Sequence, residues 1–144
     1  MIIRPLNVND RDQWAPLWAG YLEFYKTELS TDVTEAAFQR LTGEASNMFA
    51  FVVEENARVI GFVHCVTHPA TWAIGDYCYL EDLFVSPRAR GTGAGRALIE
   101  AVYVEADKRG CARVYWHTNE TNTTARALYD KVARYAGFIQ YRRS

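Results

Sequence analysis

Three closely spaced glycines, Gly91, Gly93 and Gly95, mark the part of the sequence best suited to chemistry. They follow an apolar run that starts at Tyr79, and a helix-like pattern of apolar residues comes after them. A glycine-rich turn between a strand and a helix binds anions, because the first helical N–H groups lack internal acceptors and the helix dipole favours negative charge. Glycine also lets the backbone approach a phosphate closely. The stretch therefore predicts a ligand that carries a phosphate or pyrophosphate.

Two common phosphate-binding motifs do not fit these glycines. A Walker A loop requires Gly-Lys-Ser/Thr five residues after its first glycine, but that position holds Arg96. A dinucleotide-binding fingerprint that starts at Gly91 would need a glycine at the same position, and no βαβ unit precedes it. The pattern that is present is R-x-x-G-x-G at residues 90–95.

Two adjacent carboxylates, Glu81 and Asp82, interrupt a run that is otherwise rich in Leu, Phe and Val. Neighbouring residues of a strand point to opposite faces, and a carboxylate in such a strand is costly unless it is paired, hydrated or used. An ion pair with a nearby arginine is the structural alternative. We predict that at least one of the two binds substrate or takes part in catalysis, because charged groups in clefts mark functional sites.

A polar and an aromatic residue, Asn122 and Tyr129, lie seven residues apart in an amphipathic stretch. Seven residues make two helical turns, so both side chains belong to the same side of a helix. Asn122 suits a helix N-cap. Spacing alone favours Tyr129 as a packed core aromatic, but a phenol also stays protonated at neutral pH and can donate a proton.

Histidine and cysteine spacing suggests neither a metal site nor a disulfide framework. His64, Cys65 and His68 lie close together, but adjacent strand residues face opposite ways and no second ligand cluster occurs, so we expect no metal. The three cysteines of the chain, which include Cys78 and Cys111, are odd in number and widely spaced, which favours a reducing compartment.

Bulk composition limits the class of protein. A chain of 144 residues, 49% of them hydrophobic, is long enough for one folded domain, which we assign to residues 1–144. Lys and Arg number 16 against 17 Asp and Glu, so the net charge of −1 gives no general attraction to nucleic acid. The sequence shows no signal-peptide pattern and no apolar run long enough to cross a membrane, so we expect a cytoplasmic protein without membrane contacts.

The elements that must position these residues alternate between strand and helix patterns. We predict helices after a cap at Asn9 or Asp10, after a cap at Asp32 or Thr34, and over Gly93–Lys108 and Asn122–Arg134. The predicted strands are Ile2–Leu6, Met48–Glu54, Arg58–Thr67, Tyr79–Val85, Val114–His117 and Phe138–Arg142. The aromatic stripe of the first helix is typical of core packing, and the alternative is that its end, at Tyr21, Phe24 and Tyr25, walls a substrate pocket.

Two of these motifs resemble those of one family. R-x-x-G-x-G at residues 90–95 resembles motif A (Q/R-x-x-G-x-G/A) of the GNAT superfamily of acyl-CoA-dependent N-acyltransferases, and residues 122–129 resemble its N-x-x-A-x-x-x-Y helix. Residues 79–85, YLEDLFV, resemble the matching strand of polyamine acetyltransferases and of a fungal branch that acetylates histones and D-amino acids. The resemblance implies an α/β fold of the α+β type, in which a mixed central sheet, flanked by about four helices, splays open to hold acetyl-CoA.

The resemblance also implies roles for individual residues. The backbone of residues 83–85 would pair with pantetheine, and that of residues 90–96 would hold the pyrophosphate. The implied cofactor contacts are Leu83, Phe84, Val85, Arg90, Gly91, Thr92, Gly93, Ala94, Gly95, Arg96 and Asn122. Tyr129 would protonate the leaving thiolate, and Glu81 would orient the amine or accept its proton. Together with the end of the first helix and the paired carboxylates, this gives Tyr25, Glu81 and Asp82 as the expected substrate-binding residues.

The resulting hypothesis is an N-acetyltransferase that moves acetyl from acetyl-CoA to a primary amine of a small molecule, either an amino acid or a polyamine-like compound. Direct attack in a ternary complex is expected, because no nucleophile for a covalent stage is evident. A protein-lysine or histone acetyltransferase and a non-catalytic acyl-CoA-binding module remain alternatives. The resemblance further implies a homodimer.

Overall fold

The computed structural model describes residues 1–44 and 47–144. The strands are β1 (Ile2–Pro5), β2 (Met48–Glu55), β3 (Arg58–His68), β4 (Tyr77–Val85) and β5 (Arg113–Tyr115). The helices are α1 (Arg11–Phe24), α2 (Thr31–Thr42), α3 (Ala94–Lys108) and α4 (Thr123–Val132). Short 3-10 turns lie at Val8–Asp10 and Pro87–Ala89.

The five strands form one mixed sheet in the order β1-β2-β3-β4-β5. The first four are antiparallel neighbours, whereas β5 runs parallel to β4. Helices α1 and α2 pack on one face through a core that includes Trp14, Phe38 and Phe62. Helix α3, with α4 beside it, packs on the other face around Leu98 and Leu128. The predicted α/β architecture of a mixed sheet with four helices is therefore confirmed.

Strands β2 and β3, at the two neighbouring runs where strands were predicted, form an antiparallel hairpin with a tight turn. Glu55 pairs with Arg58, which leaves a two-residue loop of Asn56 and Ala57. Both loop residues have positive φ, 51° and 62°, as the turns that match the twist of a hairpin require. The turn fixes the register that later brings β3 side chains opposite those of β4.

The helix caps differ from the prediction at the first two helices. Helix α2 is capped by Ser30, whose extended backbone lets its side chain accept the Val33 N–H, while Asp32 and Thr34 lie within the first turn. Ahead of α1, Asn7 caps the 3-10 turn. Asp10 instead accepts two hydrogen bonds from Arg4, at 2.8 and 2.9 Å, and so fastens β1 to the start of α1.

The predicted last strand is wrong. Helix α4 ends at Val132, and residues 134–144 form no strand or helix. The alternation at Phe138, Ile139 and Tyr141 is typical of a strand, but these side chains are 82%, 73% and 90% exposed. Alternation predicts a strand only where a neighbouring strand is available, and β5 is just three residues long.

Candidate active site

The sheet opens where β5 leaves β4. Strand β4 pairs with β3 along its length, but it pairs with β5 only over Tyr77–Tyr79. In the ladders that the structure describes, residues 80–85 of β4 therefore have no strand partner on the β5 side. An open edge of this kind presents backbone N–H and C=O groups that an extended ligand can pair with. Leu83, Phe84 and Val85 all lie on this open stretch.

A bulge in β4 shapes the same region. In the ladder with β3, Asp82 lies opposite His64 and Leu80 lies opposite Cys65, so Glu81 is the extra residue. A bulge interrupts the alternation of faces and re-aims the side chains around it. The opposite-face arrangement predicted for Glu81 and Asp82 is therefore wrong.

The glycine-rich turn presents backbone donors at the start of α3. Gly91 and Gly93 have φ angles of +81° and +87°, which side chains with a Cβ rarely adopt. The first bond of the helix runs from the Ala97 N–H to the Gly93 carbonyl at 3.0 Å, so the N–H groups of Ala94, Gly95 and Arg96 have no intrahelical acceptor. Together these three donors and the positive end of the helix dipole fit a diphosphate.

Side chains of this turn are engaged within the protein. The Thr92 hydroxyl donates to the Ala89 carbonyl at 2.6 Å, and Arg90 Nε donates to the Val85 carbonyl at 3.3 Å. Arg96 forms an exposed ion pair with Glu100, four residues along α3. To contact a phosphate through the same nitrogen, the Arg90 side chain would have to release the Val85 carbonyl, and the Arg96 side chain would have to release Glu100. The backbone donors need no such rearrangement.

Helix α4 carries the second predicted motif. The Asn122 side chain accepts the Ala125 N–H at 3.3 Å, so its predicted capping role is confirmed. Tyr129 packs edge-on against Trp116, with ring centroids 5.4 Å apart. Burial, with a smaller contribution from Tyr25, raises the pKa of Tyr129 to about 12. The phenol therefore stays protonated across the physiological range.

The two carboxylates occupy different environments. The Asp82 side chain is 13% exposed and makes a 2.9 Å contact with Nδ1 of His64, so its partner is a histidine rather than the arginine of the structural alternative. Glu81 is exposed and lies beside Asp82. Partial desolvation, followed by the negative charge of Asp82, raises the pKa of Glu81 above its usual value.

Two tyrosines, one in α1 and one directly after it, lie near Asp82. The Tyr21 and Tyr25 rings lie 5.0 Å apart. Burial, and then the nearby Asp82, raise the pKa values of both phenols. The predicted residues are linked one to the next by electrostatic effects on their pKa values: Tyr25 acts on Tyr129, and Asp82 acts on both Tyr25 and Glu81.

Several further residues near the two carboxylates were not predicted from the sequence as part of the site. Tyr79 stacks on Tyr115 at 5.0 Å, and its hydroxyl lies 3.3 Å from Nδ1 of His117. His64 is 1% exposed and connects Trp14 of α1 to Asp82. The partnership of His64 with Asp82 depends on the β3–β4 register and on the bulge. Residue spacing alone carried no signal for it.

The histidines near the site have other partners than metal ions. His68 contacts the Pro69 carbonyl and the Tyr115 hydroxyl, and His64 contacts Trp14 and Asp82. Within residues 1–44 and 47–144, no group of three His, Cys, Asp or Glu side chains is arranged to hold a metal ion. In the same part of the chain, no helix combines the length and hydrophobicity that a membrane span requires.

Comparison with known proteins gives a consistent picture. The model of the acetyltransferase (GNAT) family matches residues 13–133. The D-amino-acid N-acetyltransferase HPA3 of Saccharomyces cerevisiae is 34% identical over 146 aligned positions, covering 100% of this chain and 91% of the yeast protein. The thialysine N-epsilon-acetyltransferase of Caenorhabditis elegans is 35% identical over 83 residues, covering 58% of this chain and 49% of that protein.

Solved structures share the fold. The aminoglycoside N-acetyltransferase AAC(6')-Iy in complex with CoA superposes with a TM-score of 0.84 at 20% identity, covering 99% of this chain and 93% of that chain. Identity at this level is informative about architecture alone. The architecture that the sequence motifs implied is the one that this comparison finds.

Proposed function

The chain belongs to the GNAT family of acetyl-CoA-dependent N-acetyltransferases, and on that premise we propose that it acetylates the primary amine of a free amino acid by direct attack in a ternary complex. A polyamine-like amine is the second small-molecule class. The observation that supports the proposal is that Glu81 and Asp82 lie on the open stretch of β4, where Asp82 affects the pKa of Tyr25 and Tyr25 affects that of Tyr129.

The backbone of the chain fits acetyl-CoA at two places. The N–H groups of Ala94, Gly95 and Arg96 would hold the diphosphate, helped by the turn at residues 90–93. The open edge at residues 83–85 would pair with the pantetheine arm in the manner of an added strand. Asn122, at the start of α4, is proposed as a further contact to that arm.

Two side chains are assigned to proton transfer, one as the proton acceptor and the other as the proton donor. An ordinary ammonium has a pKa near 10.4, so about one amine in a thousand is nucleophilic at neutral pH. Glu81 accepts the proton of the acceptor amine, directly or through water, and its raised pKa makes it a stronger base than an ordinary glutamate. Acetyl-CoA supplies the thioester that the amine attacks. Tyr129 donates its hydroxyl proton to the leaving sulfur.

Two observations favour an amino acid over other amines. The yeast relative is named for acetylation of D-amino acids, and it aligns along the whole of this chain. Arg142, in the C-terminal segment, lies close enough to Tyr79 to oppose the rise in the pKa of that phenol, which burial and then Glu81 cause. Because Glu81 and Asp82 act on the same phenol, Arg142 is proposed to bind the carboxylate of an amino acid whose ammonium group meets Asp82.

A thiol-release screen tests the proposed function. Purified protein, acetyl-CoA and one amine at a time are monitored for free CoA, with D- and L-amino acids, polyamines, aminoglycosides and basic peptides as acceptors. We expect the highest kcat/KM with an amino acid. Product analysis by mass spectrometry must locate the acetyl group on nitrogen. The proposal fails if no amine releases thiol above the hydrolytic background.

A protein-lysine or histone acetyltransferase is the second candidate. The observation in its favour is the openness of the site, where Tyr25 is 44% exposed and Glu81 is also exposed. A lysine side chain on a peptide can enter such a site. Turnover of histone-tail peptides above that of free lysine and other free amines would favour this candidate over the first.

The assembly and location of the protein are also proposals. We propose that residues 1–144 form one acetyltransferase domain that dimerises, which the exposed Phe138, Ile139 and Tyr141 support. Multi-angle light scattering at micromolar concentration tests this, and a purely monomeric mass contradicts it. The free thiols of the chain, Cys65, Cys78 and Cys111, support a reducing compartment such as the cytoplasm.

A further inference from the structure

A buried chain of hydrogen bonds stands behind the Asp82 carboxylate. Trp14 of α1 donates its Nε1–H to Nε2 of His64 at 3.0 Å, and the opposite ring nitrogen, Nδ1, lies 2.9 Å from Oδ2 of Asp82. Trp14 is 0% and His64 is 1% exposed. Two secondary elements, α1 and β3, thus contribute to the placement of one side chain on β4.

The geometry fixes the tautomer of the histidine. An indole nitrogen only donates, so Nε2 of His64 must carry a lone pair. The single ring proton of the neutral imidazole is then on Nδ1, where it is donated to the Asp82 carboxylate. The Asp82 carboxylate is therefore the hydrogen-bond acceptor, and His64 is the donor.

Packing holds the histidine ring in place. The His64 ring stacks on Phe62 with centroids 4.2 Å apart and planes within 6°. Trp18 closes another side at 5.5 Å. A ring fixed on several sides gives its Nδ1–H a fixed direction, and a donor held in this way orients the group that it contacts.

Asp82 contacts His64 at its buried side, and the Tyr21 phenol lies within hydrogen-bonding reach of the same carboxylate. Its side chain is 13% exposed. Its charge contributes to the raised pKa values of Tyr25, Tyr79 and Glu81, which lie near the open stretch of β4. The carboxylate is therefore anchored from the core while it faces the place where a cationic amine would arrive.

We infer that His64 is a positioning residue for acceptor recognition: as the Nδ1–H tautomer fixed by Trp14, it orients Asp82 to receive the cationic group of the acceptor. The inference rests on the proposed function, because it assigns Asp82 to the acceptor. It separates Asp82, the binding carboxylate, from Glu81, the proton acceptor. His64 itself contacts neither substrate.

Two substitutions of His64 separate orientation from packing. In His64→Asn the amide nitrogen takes the position of Nδ1 and keeps a donor toward Asp82. In His64→Gln the amide reaches the position of Nε2, so it keeps an acceptor for Trp14 and loses the bond to Asp82. Both variants leave space in the core, so their stabilities are compared by thermal unfolding.

The kinetic test measures KM for the best acceptor and for acetyl-CoA. We expect His64→Gln to raise the acceptor KM about ten- to a hundredfold, the effect of losing one hydrogen bond to a charged group. His64→Asn should stay within about threefold of wild type, which is a difference of less than 1 kcal/mol. Acetyl-CoA KM should be unchanged in both. Equal acceptor KM values in the two variants, or losses that follow the melting temperature, would overturn the inference.

A spectroscopic test does not depend on turnover. Two-bond ¹H–¹⁵N spectra of the whole protein report which ring nitrogen of His64 carries the proton, and we expect Nδ1. Trp14→Phe removes the donor to Nε2 and should change the signals that report the tautomer, whereas Trp18→Phe should leave the proton on Nδ1, because the Trp18 indole N–H donates to Thr34 Oγ1 at 3.1 Å and Trp18 contacts His64 only through its ring. A proton on Nε2 in the wild-type protein overturns the inference.

The two proposals fail in distinguishable ways. Wild-type protein that turns over no amine contradicts the proposed function. An active wild-type enzyme in which the Asn and Gln variants of His64 have the same acceptor KM contradicts only the role of His64.

Discussion

Burial raises the pKa of both Tyr129 and Glu81. The higher pKa suits Tyr129 to donating a proton and Glu81 to accepting one. Loss of hydration disfavours the charged form of each group, so the pKa of Tyr129 rises to about 12 and that of Glu81 rises above its usual value. A proton donor benefits because it keeps its proton at working pH. A proton acceptor benefits because its conjugate acid is weaker, provided that it is still ionised near neutrality.

Replacement of Tyr129 by phenylalanine tests the proton donor. The variant keeps the ring and its contact with Trp116 but lacks the hydroxyl. We expect kcat to fall about 10²- to 10⁴-fold with little change in the KM for acetyl-CoA, since general acid catalysis contributes about that factor. Steady-state kinetics near neutral pH provide the measurement. Tyr135→Phe, at a residue that is 64% exposed, is the control. Unchanged kcat in Tyr129→Phe would exclude the phenol as the acid.

Replacement of Glu81 by glutamine tests the proton acceptor through pH. Glu81 must be ionised to accept a proton, so wild-type kcat/KM should rise with pH as Glu81 deprotonates. Because the pKa of Glu81 is raised, this rise should lie above the pH at which an ordinary glutamate titrates. Glu81→Gln should lower kcat and abolish the acidic limb. A variant that keeps the same limb would show that another group causes it.

The raised pKa of Glu81 also predicts how the ionisation of this residue changes the stability of the folded protein. A raised pKa means that the folded protein holds the Glu81 proton more tightly than the unfolded chain, so ionisation of Glu81 lowers stability as pH rises. Glu81→Gln should therefore raise the melting temperature at neutral pH. The gain should shrink in acid, where wild-type Glu81 is protonated. This separates the stability cost of the carboxylate from its role in catalysis.

At the scale of single elements, α3 shows how much the sequence could predict. Its start at Gly93 and its end before Gly110 followed from glycine spacing, and both glycines have positive φ angles, +87° and +70°. Local rules suffice there because a helix is capped by its own neighbours. The hairpin of β2 and β3 was predictable for the same reason.

Strand β4 shows where sequence rules stop. The bulge at Glu81 arises from its register with β3, which no single strand encodes. The contact between His64 and Asp82 follows from that register and was therefore not predictable, although both residues stood out in the sequence. The missing last strand is a similar case, because alternation at residues 138–142 says nothing about an available neighbour.

Matched glycine substitutions at the two ends of α3 test the diphosphate site. Gly93→Ala and Gly110→Ala each place a Cβ at positive φ, at a cost of about 1–2 kcal/mol, and apart from the adjacent residues of the chain no atom of the described residues lies within 4 Å of that Cβ. Only Gly93 precedes the free N–H groups of the helix. We expect Gly93→Ala to weaken CoA binding at least about tenfold, a loss of about 1.4 kcal/mol.

Isothermal titration calorimetry with CoA provides the measurement, and Gly110→Ala should bind CoA within twofold of wild type. Thermal unfolding checks that the two variants are destabilised to a similar extent. A difference in CoA affinity between them then reflects ligand binding and not backbone strain. Equal loss of CoA affinity in the two variants would count against a diphosphate at the start of α3.

At the scale of the whole molecule, the site is assembled from parts that are distant in the chain. Helix α1 contributes Tyr21, and Tyr25 follows it directly; β4 contributes the carboxylates, and α4 contributes Tyr129. The C-terminal segment adds Arg142 beside Tyr79, although residues 134–144 form no regular element. A segment without strand pairing is bound less tightly to the fold, so its contribution is best tested through substrate selectivity.

Removal of Arg142 should change which amines the enzyme prefers. If the guanidinium binds the acceptor carboxylate, Arg142→Ala should raise KM for amino acids about tenfold, the loss of one exposed charge-assisted hydrogen bond. A polyamine carries no carboxylate and is repelled by Arg142, so its KM should stay constant or fall. Arg143→Ala, at the adjacent arginine, controls for net charge, because it removes the same charge one residue away. A parallel rise in KM for both acceptor classes would assign Arg142 to the structure of the segment, and the preference for amino acids would then need another cation.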